Sequence, residues 1–217
     1  MNIELARKNM IESQIRTWEV FDPAVLTGME QVQREDFVPD GYRDLAFSDC
    51  NIPLGHDEVM MAPRVEARMI QALELKAGDR VLEIGTGSGF TAAVMARQAA
   101  SVLSIDIHPD FTSMAEWNIQ RAGVANIELR TADGAKGYFD GGPWDVVVFT
   151  GALPNFDDAF GEMLVSGGRM FVVVGKAPVM EACLFVRQSS GALRRTVLFE
   201  TEIPLLRGVP QPSSFKF

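Results

Sequence analysis

Three carboxylates and a run of glycines are the residues best placed to do chemistry. Glu83 sits in an apolar stretch, and Gly85-Thr86-Gly87-Ser88-Gly89 follow almost at once. Asp106, followed by Ile107, ends the next apolar stretch, nineteen residues after Gly87. Asp133-Gly134 ends a third. Alternating glycines let a chain turn sharply and let a ligand approach bare backbone. A loop of this kind between a strand and a helix offers N–H groups to a ligand. If the strands ending at Glu83 and Asp106 are neighbours, Asp106 faces the same crevice and can accept both hydroxyls of a ribose. Asp133 then falls where an acid can receive the exocyclic amine of adenine.

The spacing narrows the ligand. A pyrophosphate-binding fingerprint reads G-x-G-x-x-G and needs glycine at position 90, where this chain has Phe90. The spacing here is G-x-G-x-G behind Glu83, a shape common in loops that hold S-adenosylmethionine. That cofactor has ribose and adenine but an amino-acid tail in place of phosphates, so a nearby acid is tolerated. Glu83, Gly85, Thr86, Gly87, Ser88, Gly89, Asp106, Ile107, Asp133 and Gly134 are therefore the expected cofactor residues. Thr150, at the end of another strand-like run, joins them because ligands gather at strand C-termini in open α/β sheets.

The elements that must position these residues follow from periodicity. Residues 3–17 have helical spacing, and Asp22-Pro23 opens a second helix running to about residue 33. Residues 34–63 lack periodicity and read as one long packed loop. Beyond them, helices at 64–75, 89–99, 110–123 and 156–168 alternate with strands at 80–85, 101–107, 126–134, 144–151 and 169–175. Strands at 182–188 and 194–202, separated by a short turn, form an antiparallel hairpin at one edge. Such alternation predicts an α/β fold, a mostly parallel sheet with helices on both faces. The segment 206–217 is left open between an added strand and a cover on the sheet edge.

Composition excludes several classes. The chain has 217 residues, suited to one domain with an added subdomain, and a net charge of −9. An acidic surface repels phosphate backbones, so nucleic acid is not an expected partner. No apolar run is long enough to span a membrane, and the N-terminus lacks a signal core, so a cytoplasmic protein is expected. Two cysteines and two histidines are too few for a Cys/His metal cluster, and no metal site is expected.

The stretch "RVLEIGTGSGFTAAVMA" resembles the first motif of class I methyltransferases. The segments "MIESQI", "VQREDFVPDGYRDLAFSD", "NIPLGHDEVMMAP", "WDVVVFTGALPN", "SGGRMFVVVG" and "ETEIPLL" are similar to protein-L-isoaspartate O-methyltransferases over nearly the whole chain. The resemblance implies the class I (Rossmann-like) fold with a seven-stranded sheet. It implies residues 1–62 as an N-terminal helical cap and substrate loop, and 63–217 as the S-adenosylmethionine-binding core. It implies methylation of an isoaspartyl carboxylate in a protein or peptide. The loop departs from the family where the family's threonine and serine are Val59 and Met61. A same-fold enzyme with a small-molecule acceptor, or a cofactor-binding paralogue without transferase activity, therefore stays open.

Within that loop no catalytic residue is certain. His56 reads as a base or as an exposed loop residue. Met60 and Met61 read as cover for the cofactor's methionine moiety or as core filling. Arg64 reads as a partner for a substrate carboxylate or as a solvated helix-start residue. His108 borders the ribose or faces solvent, and Phe111 and Trp117 read as core. A carboxylate acceptor is ionised at neutral pH and needs no base, which fits a chain with few histidines.

Overall fold

The computed structural model describes residues 2–209. Helix α1 (Ile3–Met10) starts at Asn2, whose side chain accepts the Leu5 N–H. It runs on through a π-turn (Ile11–Ile15) and a 3-10 turn (Arg16–Trp18), so the expected 3–17 helix is one rod with a tightened end. Helix α2 (Pro23–Gln31) is capped by Asp22, which accepts the N–H groups of Ala24 and Val25 at 2.7 and 3.3 Å, and has Pro23 at its first position.

The expected long loop contains structure that periodicity did not show. Two 3-10 turns (Arg34–Asp36 and Asp40–Leu45) lead to an antiparallel hairpin of β1 (Ile52–Gly55) and β2 (Glu58–Met60). Its two-residue turn, His56-Asp57, holds both residues at positive φ, 54° and 62°. A two-residue turn with both central residues in the left-handed region matches the twist of the flanking strands.

The remainder alternates as expected. It comprises α3 (Pro63–Leu73), β3 (Arg80–Ile84), α4 (Phe90–Ala96), β4 (Ser101–Asp106), α5 (Pro109–Arg121), β5 (Ile127–Thr131), β6 (Trp144–Phe149), β7 (Leu164–Lys176), β8 (Val179–Arg187) and β9 (Leu193–Glu200). Among the described residues these form a seven-stranded sheet in the order β5-β4-β3-β6-β7-β8-β9. Only β8 runs against the others, and β8 and β9 form the expected hairpin. The helix expected over 156–168 is instead a single 3-10 stretch (Asp158–Met163) capped by Asp157. Strand β7 already pairs with β6 at Leu164, opposite Trp144, which leaves too few residues for a longer helix.

The two faces of the sheet are covered differently. Val81, Val102, Val146, Val148, Phe171 and Val173 pack with α1 to α5 in one cluster. Leu82, Ile84, Ile105, Val147, Phe149 and Val172 point the other way, because strand side chains alternate. They meet Ala135, Trp144, Leu153, Phe160, Met163 and Val209, from loops and the 3-10 stretch. In the C-terminal segment, Leu205 bridges to Ala152 beyond the end of β6, so this part lies across strand ends rather than along the sheet edge. Residues 210–217, the rest of that expectation, lie outside the described residues.

One buried cation joins the N-terminal region to the core. Arg34 is fully buried and pairs with Glu66 of α3. It also donates to the carbonyls of Ala46 and Met61 at 2.9 and 2.7 Å, and its guanidinium stacks 4.9 Å from the Phe90 ring centre. Removing one partner of a buried pair leaves an uncompensated charge. Arg34→Ala is expected to lower unfolding free energy by about 3–5 kcal/mol, whereas Arg34→Met with Glu66→Leu costs distinctly less. Urea unfolding of the two variants beside the wild type checks this; equal losses would show that packing, and not the charge, is what Arg34 supplies.

Candidate functional site

Strands β3 and β4 pair in parallel register, Ile84 opposite Ile105, so both chains leave the sheet at the same level. The chain after β3 turns over at Gly85, Gly87 and Gly89, with φ of 103°, 51° and 85°. Two of these glycines are also required by space. A Cβ on Gly85 would collide with the Thr150 hydroxyl, and one on Gly89 would lie 2.9 Å from Ala115 Cβ of α5. The chain after β4 presents Asp106, which is buried. Its Oδ2 accepts the Gly87 N–H at 3.0 Å and its Oδ1 accepts the His108 N–H at 2.9 Å. The carboxylate is thereby fixed across the mouth of the glycine loop.

Beneath the loop lies a buried polar chain. Thr86 Oγ1 is 2.7 Å from Ser104 Oγ, and the Ser104 hydroxyl donates to Glu83 Oε2 at 2.5 Å. Glu83 Oε1 is buried with no hydrogen-bond partner. Burial pushes the Glu83 carboxyl up to about 8; the Ser104 hydroxyl opposes this, and the charges of Asp106 and Glu66 add to it. Burial likewise raises Glu66 to about 7, against the pull of Arg34. Thr150 closes the floor, donating within reach of the carbonyls of Gly85 and Ile84 at 2.5 and 3.0 Å.

These residues line an open cleft. Its walls include Asp106, Ile107, His108 and Phe111 on one side, Asp133, Gly134 and Ala135 on another, and Leu54, Glu58 and Val59 of the hairpin above. Leu206 and Arg207 complete the roof. Arg207 Nε donates to Glu58 Oε1 at 3.0 Å, and its Nη2 reaches Asp57 at 3.2 Å and the His56 carbonyl. A second, smaller hollow shares Leu54, Val59, Gly85, Gly87 and Thr150 with the first. It is lined further by Met60, Met61, Glu66, Thr86, Ser88, Phe90 and Thr91. The pair offers a long slot with the Asp106 carboxylate at one end and an apolar, partly acidic chamber at the other. The bare glycine backbone and the Asp106 carboxylate beside it fit a nucleoside with an amino-acid tail.

A family model, Protein-L-isoaspartate(D-aspartate) O-methyltransferase (PCMT), matches residues 5–205. The chain belongs to this family. It is 36% identical over 203 residues to a Koribacter versatilis protein-L-isoaspartate O-methyltransferase, covering 93% of this chain and 91% of that one. It is 37% identical over 182 residues to the Methanoculleus marisnigri protein of the same name, covering 84% and 83%. Among solved structures, a protein-L-isoaspartate O-methyltransferase superposes with TM-score 0.79 at 24% identity, over 93% of this chain and 66% of that one. A Plasmodium falciparum structure named for the same enzyme, in complex with S-adenosyl-L-homocysteine, gives 0.78 at 17% identity, over 95% and 99%. Both structures share the fold, that of the class I methyltransferases.

For a member of this family, the residues expected from sequence converge well. Gly85, Gly87, Asp106, Ile107, Asp133, Gly134 and Thr150 all line the larger cleft, and Thr86, Ser88, Met60 and Met61 line the smaller hollow. Glu83 lies below the loop rather than in its wall, and Gly89 serves helix packing. Arg64 lines neither hollow; its guanidinium pairs with Asp49 and lies 4.5 Å from the Trp18 ring centre. His56 stands at the hairpin tip, Nε2 2.8 Å from Asp110 Oδ2, outside both linings. Of the two aromatics read as core, Phe111 is buried but lines the cleft, and Trp117 is 64% exposed. Sequence reasoning missed Leu206, which ends the segment "ETEIPLL" but was given no role, and Arg207, which no motif marks. It also missed Glu66, whose one signal is an acid on the apolar face of α3 beside Val65, Met69 and Ile70.

The two raised acids make stability depend on pH. In the folded chain Glu83 holds a proton to about pH 8, and Glu66 to about pH 7, above which it ionises into its pair with Arg34; the unfolded chain releases both near the ordinary value of 4.5. Their contribution is therefore full at low pH and is lost as pH rises through the folded values. Urea midpoints of the ligand-free chain are expected to fall between about pH 5 and pH 8, and Glu83→Gln to flatten that fall. An unchanged slope in the variant would mean that Glu83 is ionised throughout.

Proposed function

We propose that this chain is an S-adenosylmethionine-dependent methyltransferase that esterifies the carboxylate of isoaspartyl residues in proteins. The observation that carries the cofactor assignment is Asp106, held by two backbone N–H groups opposite three positive-φ glycines. Family membership carries the acceptor.

When bound, the cofactor supplies a methyl group already activated on a sulfonium, so the protein contributes chiefly position and a dry site. Asp106 would take the ribose hydroxyls, with Asp133 and Gly134 at the adenine end. Thr86, Ser88, Met60 and Met61 would surround the amino-acid end, above Glu83. Leu54, Val59 and Met61 exclude water from the chamber where the acceptor meets the methyl group. An acceptor carboxylate is ionised at neutral pH, so no lining group has to take a proton from it. Arg64, committed to Asp49 and Trp18, is not assigned to the acceptor.

The apolar Val59 and Met61 favour a second reading, in which the acceptor is a small molecule or the site binds cofactor without transfer. The acidic charge speaks against nucleic acid as substrate. No helix among the described residues is long and apolar enough to cross a membrane. A cytoplasmic location, with residues 1–62 acting as cap and substrate loop over the core, is part of the same proposal.

Two measurements test it. Asp106→Ala is expected to weaken S-adenosylhomocysteine at least about tenfold by calorimetry, the loss of one charge-assisted hydrogen bond. Labelled methyl groups are expected to pass from S-adenosylmethionine to an isoaspartyl peptide and not to its aspartyl twin. Binding without transfer to either peptide would retire the repair assignment while leaving the cofactor site standing.

A further inference from the structure

Outside the linings of the glycine loop, one cluster joins two elements that are distant in sequence. His56 stands at the tip of the β1–β2 hairpin; His108 and Asp110 stand at the start of α5. The two imidazoles stack with ring centres 4.0 Å apart and planes 8° from parallel. His56 Nε2 lies 2.8 Å from Asp110 Oδ2. One potential ligand atom from each of the three residues lies within 4.8 Å of the others. His108 Nε2 is shielded from solvent and has no hydrogen-bond partner.

We propose that His56, His108 and Asp110 form a site for a divalent transition metal, zinc above all, that clips the hairpin to helix α5 across the rim of the cofactor cleft. Two imidazole nitrogens, one carboxylate oxygen and a water make a tetrahedral set suited to zinc. Bonds of the usual length would place the ligand atoms about 3.3 Å apart, so the cluster needs to contract only modestly. The stacked rings cannot share an ion until one turns out of parallel. His56 can turn: its side chain is 44% exposed and is held only by Asp110 and by ring contacts with His108 and Phe111. The neighbouring acids are otherwise engaged, Asp106 by two backbone N–H groups and Asp57 and Glu58 by Arg207. The ligand set is thereby restricted to these three side chains. Counting cysteines and histidines alone hid the site, because its third ligand is an aspartate.

The clip has a consequence for the cleft. His108 forms part of one wall, and the hairpin's Leu54 and Val59 form part of the opposite one. A metal linking them opposes hairpin opening, and exchange of a bound nucleoside slows. The metal site itself stands whether or not the chain transfers methyl groups.

The chain has just two histidines, so its imidazole proton signals report on this site alone. Untagged, metal-free protein is titrated with zinc while those signals and the binding heat are followed. The expected result is about one zinc per chain, with both histidines shifting together to saturation. His108→Gln and Asp110→Asn, compared at matched urea midpoints, should weaken binding at least about tenfold. Absence of saturable zinc binding, movement of one histidine alone, or equal affinity in the variants would overturn the proposal.

Discussion

The parallel, in-register pairing of β3 with β4 is the constraint on which the site depends. Ile84 opposite Ile105 fixes where each chain leaves the sheet, and the next residues are Gly85 and Asp106. A slip of one residue would turn Glu83 from its polar chain into the opposite apolar layer and swing Asp106 away from the glycine loop. The register is protected by burial on both faces, since Val81 and Leu82 belong to different apolar clusters. Packing thus specifies the geometry that the chemistry uses.

Above this base, the N-terminal region is tied down by polar groups. Arg34 reaches Glu66, Ala46 and Met61 at once, so the loop that roofs the cleft cannot shift independently of α3. The cost is a fully buried ion pair close to Glu83, and it is reflected in the raised Glu66 and Glu83 carboxyls. Of these two acids, Glu66 lines the smaller hollow and Glu83 lies beneath the glycine loop.

The core was legible because its signals are local. Glycines at positive φ, an acid at the end of β4 and prolines at the first positions of α2, α3 and α5 all leave marks in sequence. The hairpin was not legible. Its strands are four and three residues long, and its turn is His-Asp instead of the usual Asn-Gly. Two non-glycine residues stay in the left-handed region there because Arg207, far away in sequence, grips the His56 carbonyl and the Asp57 carboxylate. The helix expected at 156–168 failed for a related reason: the early start of β7 overrode a local pattern. Arg64 offered a charge in the right segment, but Trp18 and Asp49 claim it through contacts that spacing cannot reveal.

The roof strap at Leu205, Leu206 and Arg207 bears on how the protein is made. A growing chain that has emerged only as far as β9 already contains the glycine loop, Asp106, Asp133 and the whole hairpin. It still lacks Leu206 over Gly151 and the guanidinium that braces the hairpin turn. Such a nascent chain has an unroofed slot and an unsupported, strained turn. Competence to retain a nucleoside therefore arrives late in synthesis, when the strap is laid across the strand ends.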